Sequence, residues 1–147
     1  MTRRPAASDF VDLFGLLKRR LRALAAQGYA LAGIARAHGR FIWLIGHHSR
    51  ISQAELARAT DTDPALTGRT IQQLIDDGLV RRKRNKEDRR EYVLELTAAG
   101  CRALDRVERA RADVGERIAA MLDERDLQDF ERVVRKIVAD ADAADGD

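Results

Sequence analysis

The sequence has one cysteine, Cys101, among its 147 residues, so no disulfide can form within the chain. A chain without internal disulfides suits a reducing compartment. Long apolar runs are also missing, since the longest, Phe41 to Ile45, is far too short to cross a bilayer. No apolar signal segment follows the first residues, because Asp9 and Asp12 interrupt it. We therefore expect a cytoplasmic protein that makes no contact with membranes.

The residue patterns that carry catalysis are missing as well. The sequence shows no Ser/His/Asp set, no paired carboxylates that suggest a cleft, no phosphate-binding loop and no Cys/His cluster with metal-ligand spacing. His38 and His48 would lie roughly 15 Å apart along a helix axis, too far to share one ion, and the neighbouring His47 would point elsewhere. We predict no enzymatic activity, no cofactor and no metal ion. A sensing role for Cys101 or for these histidines stays open.

Charge is abundant but unevenly distributed. Asp, Glu, Lys and Arg make up 35% of the chain, while the net charge is only +3. The segment from Arg81 to Arg90 holds seven basic and two acidic residues, whereas an acidic tail without any base closes the sequence. A local basic cluster of this kind indicates a polyanionic partner more clearly than the small overall surplus does.

Two short helices are predicted between residues 51 and 78. Ser52 and Glu55 have the spacing of a capping box, in which each side chain bonds a backbone N–H that the helix leaves unused. Asp63 and Pro64 open the second helix, because aspartate caps free N–H groups and proline lacks one. This second helix ends at Gly78. A tight turn between two short helices is typical of a helix-turn-helix.

A basic hairpin follows directly. Residues 79–84 and 91–96 have the composition of two strands, and residues 85–90 connect them. This order of elements is that of a winged helix-turn-helix, which places its second helix in the major groove of DNA and the hairpin beside it. The sequence thus predicts a mainly α-helical fold with a small β-hairpin wing.

Longer helices flank this module at both ends. Apolar stripes predict a first helix from residue 8 or 9 to Gly28 and a second from about residue 31 to residue 48. Thr97 caps a long third helix, and Asp123 or Asp126 starts a last one. We expect a disordered segment at 1–7, dimerising and supporting helices at 8–50, the DNA-binding region at 51–96, and dimerising helices with an acidic tail at 97–147.

The flanking helices carry more apolar surface than a module of this size needs. A two-fold dimer would bury that surface, as DNA readers of this architecture commonly do. Packing of the same helices within one chain is the alternative. The residues that we expect at the dimer interface are Phe10, Leu13, Leu17, Ile118, Leu127, Phe130, Val134 and Ile137.

The outer face of the second short helix is suited to reading base edges. Arginine can form two hydrogen bonds with guanine, glutamine can do the same with adenine, and a small apolar side chain can meet the thymine methyl group. The candidates on this face are Ala65, Leu66, Arg69, Gln72 and Gln73. An ordinary solvated helix face is the alternative.

The wing is the second predicted contact with DNA. Long cations at its tip suit the narrow minor groove, where negative potential is concentrated, and an aspartate can hold one arginine in a fixed geometry. The candidates are Arg84, Lys86, Asp88, Arg89 and Arg90. Phosphate contacts are expected from Ser52, Gln53, Arg81, Arg82 and Lys83, although simple capping by Ser52 and simple exposure of the strand cations are the alternatives.

A set of motifs in this order resembles the MarR family of bacterial transcriptional regulators over about residues 10–140. The set comprises Gln53-x-x-Leu56-Ala57, the Asp63-Pro64 helix, Gly78-Leu79-Val80-Arg81-Arg82, Asp88-Arg89-Arg90 and Leu96-Thr97-x-x-Gly100. The resemblance implies a dimer formed by the terminal helices and a recognition arginine at Arg69. It also implies a wing arginine, Arg90, that enters the minor groove with support from Asp88.

Two places depart from the family pattern. Gly68 stands where the family often has threonine before the arginine, and Gln72-Gln73 replaces a frequent Asp-Arg pair. The glycine loses a hydroxyl contact and weakens the helix, and the second change loses a cation. We therefore expect a preferred DNA sequence that differs from those of better-known members.

Together these features predict a sequence-specific regulator that binds double-stranded DNA as a homodimer on a pseudo-palindromic operator, with repression as the expected outcome. A winged-helix module that binds protein is the alternative, although it would not need the basic cluster at residues 81–90. The resemblance also implies release by a small aromatic effector. The aromatic residues that could line its pocket, or simply form the core, are Phe10, Phe14, Tyr29, Phe41 and Trp43.

Overall fold

The computed structural model describes residues 7–85 and 92–144, and within them the side chains of residues 9–85 and 92–139. The elements are α1 (Ala7–Leu31), α2 (Arg36–His47), β1 (Ile51–Ser52), α3 (Gln53–Thr60), α4 (Pro64–Asp76), β2 (Val80–Arg84), β3 (Tyr92–Leu96), α5 (Ala98–Ala119) and α6 (Glu124–Ala144). The predicted fold class, mainly helical with a small antiparallel wing, is confirmed. Of the predicted disordered segment, residues 1–6 lie outside the described residues.

The chain divides into two units, Met1–Arg111 and Ala112–Asp147. In the first unit, aliphatic side chains from α2, α3, α4, the sheet and the start of α5 form one buried core. Its most buried members are Ile42, Leu56, Ile71, Leu74, Val80, Leu94 and Val107. Because α4 and β2 both contribute to this core, the wing base and the second short helix rest on the same support.

Local capping explains why α3 and α4 begin where they do. The N–H of Glu55 donates to the Ser52 hydroxyl at 3.2 Å, and the N–H of Ser52 donates to the Glu55 carboxylate at 2.7 Å. The carboxylate of Asp63 accepts from the N–H groups of Ala65 and Leu66 at 2.9 and 3.0 Å. Both predicted caps are therefore confirmed, and they fix the first turns of both helices.

The Leu-Thr-x-x-Gly motif joins the start of α5 to the end of α4. The Thr97 hydroxyl accepts from the N–H of Gly100 at 3.0 Å and donates to the carbonyl oxygen of Gly78 at 2.6 Å. A Cβ atom at Gly100 would overlap the carbonyl oxygen of Leu79. Position 100 therefore needs glycine because of this close approach, and Thr97 caps α5 as predicted.

The boundary predicted between the first two helices is wrong. α1 continues through Gly28 to Leu31, and α2 begins at Arg36 instead of residue 31. The left-handed residue is Gly33, with φ of 70°, and the N–H of Ile34 closes the corner on the carbonyl oxygen of Tyr29 at 2.9 Å. His48 lies just beyond α2, which ends at His47.

The sheet has three strands, one more than the two predicted. β1 pairs with β3 through Ile51 opposite Leu94 and Ser52 opposite Val93, so the order is β1-β3-β2 and all pairs are antiparallel. Two residues are too few to show alternation in a sequence. Ile51 is almost fully buried, so this short strand anchors the start of α3 to the sheet.

In the second unit, α6 begins after a reciprocal cap. The N–H of Asp126 donates to the Asp123 carboxylate at 2.8 Å, and the N–H of Asp123 donates to the Asp126 carboxylate at 3.2 Å. This confirms Asp123 as the start of the last helix. Among the described helices, none combines the length and apolar character that crossing a membrane requires.

Candidate nucleic-acid interface

α4 has the two faces that the sequence predicts. Thr67, Ile71 and Leu74 are fully buried against the core. The five candidates for base reading, Ala65, Leu66, Arg69, Gln72 and Gln73, are all exposed. Leu66 keeps 47% of its surface exposed, so this large aliphatic side chain lies on the outer face and not in the core. The face is therefore free for a partner.

The two glutamines on this face have hydrogen-bond partners that the sequence did not indicate. Gln72 donates to the Asp76 carboxylate at 2.8 Å and accepts from Nη1 of Arg82 at 3.2 Å. Gln73 donates to the Asp77 carboxylate at 3.2 Å. The bond to Arg82 links the outer face of α4 directly to the wing.

The cations of β2 fall into two sets because side chains alternate across a strand. Arg81 and Lys83 point to one side and share the carboxylate of Glu95, at 3.1 and 2.9 Å. The hydrogen bond from Lys83, followed by that from Arg81, lowers the pKa of Glu95. Glu95 is not among the site residues predicted from the sequence, although its position in the alternating strand at 91–96 was a usable signal.

Arg82 and Arg84 make up the second set. Arg82 reaches α4 through Gln72, whereas the guanidinium carbon of Arg84 lies 5.7 Å from the ring centroid of Tyr92 on the facing strand. All four cations of β2 are exposed, as phosphate contacts would require. The predicted tip residues Lys86, Asp88, Arg89 and Arg90 lie outside the described residues, so their roles stay predictions.

At the start of α3, the predicted phosphate contacts differ in availability. The hydroxyl of Ser52 is engaged in the capping box. Gln53 is exposed, and its amide nitrogen lies 3.1 Å from the place that a Cβ atom would take at Gly68 of α4. The glycine at position 68 therefore lets the Gln53 side chain lie against α4, and a larger residue there would displace it.

The residues predicted at a dimer interface carry large apolar surfaces. On α1, Phe10 and Leu13 are exposed and Leu17 is half-buried, and the rings of Phe10 and Phe14 are 5.4 Å apart. In the second unit, Leu127, Phe130 and Ile137 are exposed, whereas Ile118 and Val134 are half-buried. Each unit thus has an apolar helix face that the described chain leaves open to solvent.

The five aromatic residues lie in different places in the described chain. Tyr29 and Phe41 belong to the core, while Phe10 and Phe14 lie on the exposed part of α1. Trp43 packs against the ring of His47, with centroids 4.7 Å apart, and under the guanidinium of Arg111 at 4.4 Å. The described groove between α3 and α4 has no aromatic lining; it is bounded by Gln53, Ala54, Ala57, Arg58, Asp61, Thr62, Asp63 and Pro64.

Cys101 and the histidines are the residues for which a sensing role stays open. Nε2 of His47 lies 2.9 Å from a Glu108 carboxylate oxygen, Cys101 is exposed, and His38 is half-buried. In the part of the chain that the structure describes, no group of three His, Cys, Asp or Glu residues is placed to hold a metal ion.

A capped helix pair, an exposed second helix and an adjacent antiparallel wing define a winged helix-turn-helix protein. The model of the MarR family matches residues 34–92. A putative transcriptional regulatory protein for the hcr operon from Thauera aromatica is 30% identical over 120 residues, which cover 73% of this chain and 72% of that protein.

Two solved structures share the fold. A crystal structure of MarR has a TM-score of 0.77 at 21% identity, and the match covers 99% of this chain and 97% of that one. A mutant MarR from E. coli complexed with operator DNA has a TM-score of 0.76 at 18% identity, over 88% of this chain and 93% of that one. The chain belongs to the MarR family of transcriptional regulators, which are DNA-binding proteins without enzymatic activity.

Proposed function

We propose that this protein is a homodimeric repressor that recognises a pseudo-palindromic operator with α4 and grips the flanking backbone with its wing. The observation that carries the proposal is the exposed face of α4 with Arg69 at its centre, beside a strand of four consecutive exposed cations, residues 81–84. The structural relative that was solved with operator DNA supports the same mode of binding.

The chemistry of the α4 face suits base reading. Arg69 would bond the O6 and N7 atoms of guanine, and Leu66 would contact a thymine methyl group. Because both side chains are exposed and lie within the first two turns of α4, they are placed as the reading residues of a helix-turn-helix commonly are. Arg69 is therefore the residue that we expect to set base preference.

The wing supplies charge rather than base contacts. The cations of β2 would neutralise phosphates, and Arg90, by its resemblance to the family's wing arginine, would enter the minor groove with Asp88 holding it. Neutralised phosphates release counterions, so binding should weaken steeply as salt increases. Loss of Arg90 should weaken binding to every sequence by a similar factor.

Dimerisation would pair two α4 helices with two half-sites. The apolar faces of α1 and α6 would each pack against a second copy of the chain. Phe130, with 49% of its surface exposed, is the test position. Phe130→Glu should shift sedimentation from dimer to monomer, whereas the same substitution at the neighbouring exposed Gln128 should not. A wild-type protein that sediments as a monomer at micromolar concentration would contradict the proposal.

The decisive experiment is selection from random duplex DNA with the wild type and Arg69→Ala. The wild type should enrich a two-fold symmetric site, and Arg69→Ala should lose preference at one base pair in each half-site, a discrimination of about 1–3 kcal/mol. Arg132→Ala, which removes an arginine paired with Asp129 on α6, is the matched control. An unchanged profile for Arg69→Ala would refute the assignment of α4 as the reading helix.

Release by a small aromatic compound is the proposed means of regulation. It rests on family membership alone, since the described groove beside α4 lacks aromatic side chains. A panel of phenols and aromatic carboxylates, added to the selected DNA complex, should include a compound that lowers the affinity. If none does so while the complex forms normally, this mode of regulation is wrong.

A further inference from the structure

Gln72 lies at the junction of α4 and the wing. Its amide oxygen accepts from Nη1 of Arg82 at 3.2 Å, and its amide nitrogen donates to Oδ1 of Asp76 at 2.8 Å. Arg82 lies opposite Leu94 in the hairpin register, two residues after the buried Val80. Both ends of the Gln72 amide are therefore used in bonds within the protein, one of them to a different element.

We propose that Gln72 is a positioning residue that ties the wing to the recognition helix, and that it does not read bases. The inference rests on the proposed function of α4 as the reading helix. To recognise adenine, an amide must offer its oxygen and its nitrogen at the same time. Gln72 would have to break both of its bonds, including the one from a guanidinium, and bonds to charged groups are the stronger ones.

Gln73 provides the contrast within the same helix turn. Its nitrogen donates to Asp77 at 3.2 Å, but no residue in the described part of the chain donates to its oxygen. One bond of 3.2 Å is more readily exchanged for a bond to a base edge than the two bonds that hold the Gln72 amide. Reading by an amide on α4 thus falls to Gln73, next to Arg69 and Leu66.

The bond also determines where the charge of Arg82 is held. Arg81 and Lys83 share the carboxylate of Glu95, whereas Arg82 bonds a neutral amide, and no carboxylate among the described residues is paired with it. A cation fixed between the reading helix and the wing is placed for the phosphates that separate the two grooves. Gln72 therefore acts on affinity through Arg82, and its contribution should be the same for every DNA sequence.

The test compares Gln72→Ala with Gln73→Ala, two identical truncations at adjacent exposed positions. Selection from random duplex DNA should return the wild-type site for Gln72→Ala, with affinity reduced about three- to tenfold on every site, as expected for one lost hydrogen bond. Gln73→Ala should instead alter the preference at one base pair of each half-site. Both variants should keep the thermal midpoint of the wild type within a few degrees.

A double-mutant cycle with Arg82 supplies the readout that a merely structural role would not move. Arg82→Ala should reduce the slope of log affinity against log salt by about one, since one phosphate contact is lost. Adding Gln72→Ala to Arg82→Ala should cost less than about twofold more, because Gln72 acts through the lost guanidinium. Arg82→Lys, which keeps a donor and the charge, should restore most of the sensitivity to Gln72→Ala.

Two results would overturn the inference. A changed base preference for Gln72→Ala would make Gln72 a reading residue, and losses that multiply in the double variant would show that Gln72 and Arg82 act independently. Both results differ from the outcome expected if the proposed function itself is wrong. If the protein does not recognise specific DNA sequences, the wild type will enrich no sequence at all.

Discussion

Replacing Glu95 with glutamine should strengthen DNA binding. The Glu95 carboxylate accepts from Arg81 at 3.1 Å and from Lys83 at 2.9 Å, so one acid offsets two of the cations that face DNA phosphates in the proposed complex. Two cations and one carboxylate leave a charge of +1, and Glu95→Gln would leave +2. Glutamine has nearly the same shape and can still accept a hydrogen bond, so the substitution changes mainly the charge.

The size of the gain follows from counterion release. One additional neutralised phosphate steepens the dependence of log affinity on log salt by about 0.9. Since this contribution vanishes at about 1 M salt, the same slope predicts a gain of up to about eightfold at about 0.1 M. Glu95 and its two partners are partly exposed to water and salt, which screen the carboxylate. We therefore expect a gain of about two- to eightfold at that salt concentration.

Titration of a fluorescently labelled operator duplex between about 0.05 and 0.2 M salt would measure both the gain and the slope. Glu131→Gln is the matched control, because it removes the same charge from a pair with Arg135 on α6. If both variants increase the affinity for DNA equally, the increase is due to the change in net charge and not to the release of Arg81 and Lys83. No gain from Glu95→Gln would show that Arg81 and Lys83 do not contact phosphates.

Three predictions concern stability, and urea denaturation checks each of them. Thr67 is fully buried, and its hydroxyl has no hydrogen-bond partner among the described residues, so Thr67→Val should raise the free energy of unfolding by about 1 kcal/mol; a decrease would reveal a bond that the hydroxyl makes. Gly100→Ala should lower it by about 2–4 kcal/mol, because the new Cβ would overlap the Leu79 carbonyl oxygen, and a neutral result would refute that close approach. The hydrogen bond from the N–H of Ser52 lowers the pKa of Glu55, so the ionised carboxylate stabilises the fold at neutral pH, and this stabilisation is lost as the pH falls through the lowered pKa. The free energy of unfolding of the wild type should therefore exceed that of Glu55→Gln at neutral pH, and the difference should disappear on acidification. A difference that does not change with pH would contradict this role of Glu55.

Signals that act within one helix turn were sufficient to predict the helix-turn-helix. Ser52, Asp63 and Thr97 cap the helices that the sequence assigned to them, and each cap bonds an N–H two or three residues away. Such bonds depend only on the local backbone, so the residue types and their spacing carry the information. The helical periodicity of apolar and polar positions likewise predicted which face of α4 is exposed.

The corner between α1 and α2 shows where local signals fail. Gly28 and Gly33 are equally acceptable as the glycine that ends a helix, and the predicted end at Gly28 is wrong because α1 continues to Leu31. Packing makes the choice: Tyr29 is buried, and its ring lies about 3.0 Å from where a Cβ atom of Gly39 would stand in α2. The approach of an aromatic ring to a glycine ten residues away is set by the tertiary structure, and no pattern within either helix records it.

In the wing, one feature is predictable from the local sequence and another depends on tertiary packing. The period of two along a strand means that Arg82 must point away from the side that Arg81 and Lys83 share, and this much was available from the sequence. The partners were not, because the hairpin register decides that Glu95 faces Arg81, and the packing of α4 on β2 decides that Gln72 meets Arg82. Those two pairings divide the cations of β2 into two sets. The charges of Arg81 and Lys83 are partly offset by Glu95, whereas Arg82 is bonded to the recognition helix. For that reason the number of cations in β2 alone cannot predict the affinity of the wing for DNA, whereas the removal of Glu95 or of Gln72 should change it in opposite directions.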